Sequence, residues 1–147
     1  VGNSKETNRI RLARIGFVLF AIIFTLCIVT QVFFAGLAIF VDPVNWSKHT
    51  IFVHIFELVP ILMLVTAFVG QLPLWAKWQS VALLGLIFMM YFTANVTTVL
   101  PWAAAAHPVI AIIMFWASLK VTGRAVSLLK KRNKQEISPS HLEDQSI

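Results

Sequence analysis

Four long runs of apolar residues, parted by short polar or proline-bearing breaks, set the pattern of this chain. They cover about residues 15–41, 50–70, 79–100 and 102–121. A helix needs roughly 20 apolar residues to cross a hydrocarbon core of about 30 Å. Each run meets or approaches that length, and all are too continuous to be the alternating strands of a barrel. The pattern predicts an all-α, polytopic membrane four-helix bundle. The first run is longer than the 7–15-residue apolar region typical of a secretory leader, and no small-residue cleavage pattern closes it. It reads as a retained span.

The breaks carry their own signals. Asp42 and Pro43 in "VDPVNW" stop the first helix, and Trp46 suits the headgroup level. "GQLPLWAKW" supplies Gly70 and Pro73 as breakers, with Trp75 and Trp78 as interfacial anchors, and "LPWAAAAHP" makes the third connection. Links this short make successive helices antiparallel neighbours, which gives an up-down-up-down order. Pro60 and Pro108 lie inside or near the starts of spans two and four, and a kink at either would widen the bundle there.

Composition agrees: 59% of residues are hydrophobic and 12% are charged, with a mean hydropathy of +0.82. Charge then sets the expected orientation. Eleven of the twelve Lys and Arg residues fall before span one, between spans two and three, or at and after the end of span four; Lys48 alone lies on the other side. The positive-inside rule puts both termini in the cytoplasm and the other two loops outside. The chain thus divides into a cytoplasmic segment over 1–14, the membrane domain over 15–125, and a basic then polar cytoplasmic tail over 126–147. The basic part of the tail suits anionic headgroups of the lipid bilayer. Nucleic-acid binding is not expected, because "KKRNK" has no aromatic or folded platform beside it. His141 reads as a solvated tail residue and Cys27 as a packing residue in span one. The expected location is a multi-pass position in the inner (plasma) membrane.

Against this background the polar residues inside the spans stand out. His54 and His107 each lie a few residues from the outer starts of spans two and four, which puts both at roughly 6–10 Å below the outer interface. Glu57 follows His54 by three and shares its helix face. Gln31 on span one and Asn95 on span three complete a set with one or more members per span, all in the outer half, with Thr93 and Thr97 flanking Asn95. The inner halves read as almost wholly apolar. An ionisable group at mid-membrane costs at least about 2.5–3.5 kcal/mol on insertion scales, so such groups face the bundle interior and often mark function.

One chemistry that suits two histidines at matching depth on different helices is axial ligation of a b-type haem by His54 and His107. Glu57 or a carbonyl freed by Pro60 would take the second imidazole N–H. Gly36 would allow close approach of a flat macrocycle, and phenylalanines would wall it. Such a haem, near one face, needs a quinol or a protein redox partner, and the chain would then serve electron transfer or haem handling, as an oxidoreductase component. No hydrolytic or transferase motif is seen. The competing readings are a zinc or iron site without porphyrin on His49, His54, Glu57 and His107, a proton or small-ligand pocket built on the His–Glu pair, and a polar cluster that only fixes helix packing. His49 lies about 140° around the helix from His54 and is expected to meet solvent. Met114 is expected to pack. Homo-oligomerisation is left open.

The segments "TQVFFAGLAIF", the histidine and glutamate of span two, and "HPVIAIIMFWASL" resemble a family of small uncharacterised bacterial four-span membrane proteins. Its pattern is Q-x-x-x-A-G in span one, an early histidine in span two and His-Pro in span four. The resemblance covers about residues 15–125 and implies that Gln31, Gly36, His54, His107 and Pro108 form a common site. The architecture is also similar to four-helix b-type cytochromes, which commonly carry two haems and four histidines, so a two-haem electron wire is not expected of this chain.

Overall fold

The computed structural model describes the backbone of residues 2–137 and the side chains of residues 8–131. The polar end of the chain beyond Ile137, with His141, lies outside the described residues. Among the described residues the chain is helical, without strands: α1 (Gly2–Phe40), a 3₁₀ turn (Pro43–Asn45), α2 (Trp46–Phe56), α3 (Val59–Val69), α4 (Leu74–Asn95), α5 (Pro101–Ala105) and α6 (His107–Ile137). They form four stretches long and apolar enough to cross a membrane, over Asn8–Phe40, Pro43–Val69, Leu74–Asn95 and Pro101–Lys131. The third starts at Leu74 rather than Gln79 and closes at Asn95 rather than Leu100. Pro73 supplies the start, and the β-branched run "VTTV" ahead of Pro101 disfavours continuation. The basic stretch after residue 125 continues α6 without a break.

Each connection has a local cause. Asp42 caps the 3₁₀ turn by accepting the Val44 N–H at 2.8 Å, with Pro43 at its first position. At the other end of span two, Gln71 takes φ 49°, and the Gln71 and Leu72 N–H groups close back onto Phe68 and Ala67. This is a left-handed helix stop of the kind glycine usually makes. Gly70 is required for a different reason. A Cβ there would sit 2.9 Å from the Thr66 carbonyl oxygen and 3.1 Å from Arg14 Cγ, and Arg14 Nε donates to the Gly70 carbonyl at 2.6 Å. Span two breaks at Glu57 and Leu58 because Pro60 has no N–H for the Phe56 carbonyl. Beyond the break, Ile61 and Leu62 N–H both turn to the Leu58 carbonyl at 3.1 Å.

The helices form a ring in which α1 and α4 each pack against α3 and α6, so spans two and four occupy diagonal corners. Arg14 meets Gly70, Phe24 meets Phe56 and Gln31 meets His49, so span two runs back along α1. Thr93 meets His107 and Trp75 meets Arg124, so α6 runs back along α4. The end holding the 70–73 turn is called proximal below, and the end holding the 41–45 and 96–100 links distal.

Burial follows a four-then-three spacing along each long helix. Phe17, Ala21, Phe24 and Ile28 line the core face of α1; Ala76, Ser80, Leu83 and Ile87 that of α4; Met114, Ser118, Val121 and Ala125 that of α6. Many of these residues are small, whereas Leu19, Leu26, Phe33, Phe68 and Phe88 point outward. A helix pair in lipid gains from close backbone approach rather than from hiding apolar surface, which explains the inversion. The proximal and middle interior is less purely apolar than the sequence suggests. Thr25, Ser80 and Ser118 are buried there, and each hydroxyl bonds a carbonyl of its own helix, on Ala21, Ala76 and Phe115 respectively. Thr25 also meets Thr122 at 3.3 Å.

Candidate functional site

The distal half gathers the polar side chains, and α4 divides them. Tyr91 and Thr93 are two residues apart, which turns them about 200° around the helix, onto opposite flanks. Tyr91 faces span two. Its hydroxyl donates to Glu57 Oε2 in a short hydrogen bond and lies 2.9 Å from His54 Nδ1. With the phenol proton given to the carboxylate, the imidazole Nδ1–H donates to Tyr91 Oη, and the His54 lone pair falls on Nε2. Glu57 Oε1 lies 3.7 Å from the same Nδ1, and the His54 and Tyr91 rings stack with centroids 5.7 Å apart. The helix break at Glu57 positions the carboxylate, and the i, i+3 spacing brings His54 beside it. The His54 side chain is 58% exposed on the bundle surface and that of Glu57 31%.

On the other flank, Thr93 is buried and its hydroxyl lies 3.0 Å from the Met89 and Met90 carbonyls and from His107 Nδ1. His107 is the first residue of α6, followed by Pro108 in the first turn, where a missing N–H costs no helical bond. A third histidine, His49, stands on α2. His49 in turn is clasped to α1: its Nδ1–H donates to the Gln31 carbonyl at 3.1 Å, and Gln31 Nε2 donates to the His49 carbonyl at 2.8 Å. Trp46 meets the His49 ring edge-on at 5.4 Å.

The expected residues are therefore split among three groups: His54 and Glu57 with Tyr91, His107 with Thr93, and Gln31 with His49. Glu57 and His54 are together, as the spacing implies. His54 and His107 are not: they approach α4 from opposite flanks and hold different partners. The pair expected to hold a b-type haem thus has separate partners on α4, Tyr91 for His54 and Thr93 for His107. His49, expected to meet solvent, is half-buried and turned toward Gln31. Asn95 donates to the Tyr91 carbonyl at 2.8 Å and closes the end of α4. A Cβ on Gly36 would meet nothing within 4 Å, so the space beside it is open. Met114 packs in the core. Among the described residues no three His, Cys, Asp or Glu side chains converge, so the zinc or iron set of His49, His54, Glu57 and His107 is not assembled.

The residue that sequence reasoning missed is Tyr91, which bridges the ionisable pair. Its signal was present: it is the single tyrosine in a chain with twelve phenylalanines. In lipid a phenol needs a hydrogen-bond partner where a phenyl ring does not.

A family of unknown function (DUF6220) matches residues 31–98, somewhat under half of the chain. The matched segment runs from Gln31 past Tyr91 and Thr93, and stops before His107. No curated protein and no solved structure matches the chain.

Proposed function

We propose that the chain is a multi-pass protein of a bacterial inner membrane, with both ends cytoplasmic, whose outward half takes up and holds a proton on a His54–Tyr91–Glu57 relay. The observation that carries this reading is the Tyr91 hydroxyl, placed between His54 Nδ1 and the Glu57 carboxylate. The orientation rests on the distribution of Lys and Arg, which puts the distal end outside.

The relay balances as follows. A proton arrives at His54 Nε2, the ring nitrogen not bonded to Tyr91. The Nδ1 proton passes to Tyr91 Oη as the phenol proton passes to Glu57. The imidazole and the phenol end neutral, and Glu57 ends as a carboxylic acid. A neutral carboxyl is far cheaper at this depth than a carboxylate, and this difference supplies the driving force for uptake. The buried hydroxyls at the middle and proximal levels are each engaged with their own helix backbone, so the arrangement favours a site that binds a proton from one side over a path through the membrane.

Infrared difference spectra of the protein in lipid, recorded across a pH titration, test the reading. The expected result is a protonated-carboxyl C=O band that disappears in Glu57→Gln and shifts its midpoint in both Tyr91→Phe and His54→Phe. A carboxyl band whose midpoint is the same in wild type, Tyr91→Phe and His54→Phe would sink the relay. The haem reading draws on the sequence alone; a Soret band abolished by His54→Ala and by His107→Ala would establish it.

A further inference from the structure

The proximal end gathers cations and, among the described residues, no acid. Over residues 8–131 the carboxylates are Asp42 and Glu57, both in the distal half, and the ion pair made there is His54 with Glu57. Arg14 and Arg124 meet at one crevice, which opens where α1, the start of α4 and α6 come together. Its walls include Arg14, Phe17, Val18, Trp75, Leu128 and Leu129. Phe17 is fully buried and meets Trp75 edge to face at 6.4 Å. Arg14 lines the crevice beside Trp75, and the Arg124 guanidinium stands over the same Trp75 ring, 5.8 Å from its centre. Arg14 is held in place by its Nε, which donates to the Gly70 carbonyl at 2.6 Å. Its two terminal nitrogens make no hydrogen bond among the described residues. Arg14 apart, the lining is apolar, and the floor is too narrow for a water molecule.

We infer that this crevice seats one anionic phospholipid, its phosphate taken by Arg14 and Arg124 and an acyl chain lying along the mouth. The charge calls for an anion, and a guanidinium matches phosphate oxygens with paired N–H groups. The walls call for more than an anion. Val18 lies one turn, about 6 Å, deeper along α1 than Arg14, so apolar surface continues inward from the cation. A bare phosphate leaves that surface uncovered, whereas a lipid covers it with the chain that follows its headgroup. The level fits as well. Lys77 over Phe68, Lys120 over Trp116 and Arg124 over Trp75 form a belt of cations and aromatic rings, the composition found where headgroups lie. Basic pockets between membrane helices take anionic headgroups at this level. A seated lipid differs from the general attraction of basic residues to a membrane, which depends on how many charges there are and not on where they stand. The inference needs the four helices to lie in a membrane, and it uses neither their orientation nor the His54 relay.

Native mass spectrometry of the full chain in detergent, titrated with phosphatidylglycerol and separately with phosphatidylcholine, counts the lipids bound. One phosphatidylglycerol is expected to bind about tenfold or more tighter than phosphatidylcholine, the scale of one charged hydrogen-bonded contact. Arg14→Gln and Arg124→Gln are each expected to weaken that first lipid by about tenfold. Should Arg14→Gln fail to fold, Arg124→Gln carries the test, because Arg124 is exposed. Lys77→Gln is the control. It removes the same charge at the same end, but Lys77 is two residues from Trp75, about 200° around α4, and lies against Phe68 of α3. It is expected to leave the first lipid unchanged. Glycerophosphoglycerol, the headgroup without chains, is expected not to compete. Equal affinity for the two lipids, equal weakening by Arg124→Gln and Lys77→Gln, or competition by the bare headgroup as strong as by the lipid overturns the inference.

Discussion

The proximal and distal halves of the bundle solve opposite problems with the same four helices. The proximal half is closed. Arg14 is tied to the Gly70 carbonyl, and Ala67 and Ala76 are fully buried. Cationic side chains lie over aromatic rings around this end, Lys77 over Phe68, Lys120 over Trp116 and Arg124 over Trp75. The distal half is held open. Span two breaks at Glu57, α2 packs on α1, and the contacts that cross to α4 are made by long polar side chains rather than by backbone approach. Small residues bring helices together in lipid, and hydrogen bonds between long side chains hold them at a distance. The polar clusters sit where the packing loosens.

The largest test of this contrast is Phe24→Ala. Phe24 is fully buried near the level where span two breaks, and its ring meets that of Phe56 at 5.7 Å. Removing a buried phenyl costs about 3–5 kcal/mol where the surroundings cannot collapse. Lipid supplies no hydrophobic drive between helices, so the lower end of that range is expected. Unfolding by sodium dodecyl sulfate in mixed micelles measures it. A loss well under 1 kcal/mol would mean that the helices are not packed where the two halves join.

A smaller effect is expected from Gly70→Ala. The new Cβ would press on the Thr66 carbonyl oxygen at 2.9 Å and on the Arg14 backbone nitrogen at 3.3 Å. Backbone atoms of two helices cannot give way as a flexible side chain can. Overpacking of this kind costs about 1–3 kcal/mol, and the same unfolding assay reads it. A neutral Gly70→Ala would show that the proximal turn has slack, and the contrast between the halves would fail on its closed side.

Much of this division could be read from the sequence, and the part that could not has a physical reason. Length and hydropathy fix four helices, because a membrane core leaves few alternatives. Pro60 marks the break in span two, since a missing N–H acts locally. The i, i+3 pairing of His54 and Glu57 is likewise a local fact, and it holds. Rotation of one helix about its axis relative to another is not local. His54 and His107 share a depth, which rise per residue supplies, but whether they face each other depends on which flank of α4 each helix meets. That is decided by the packing of Leu83, Ile87 and their neighbours, and no spacing within spans two or four encodes it. The same gap hid His49, whose inward turn depends on the Gln31 carbonyl of another helix. Tyr91 was overlooked because it sits in a run of phenylalanine and methionine, where an apolar reading erases the hydroxyl.

The smallest expected effect probes the open side. Gly36 lies near the end of α1, and a Cβ there meets nothing within 4 Å. Its backbone is helical, so alanine imposes no strain, and the substitution lowers the conformational freedom of the unfolded chain. Gly36→Ala should therefore stabilise the protein, by about 0.4–1 kcal/mol. A loss of 1 kcal/mol or more would mean that something fills the space beside Gly36 in the folded protein, another helix face or a bound molecule.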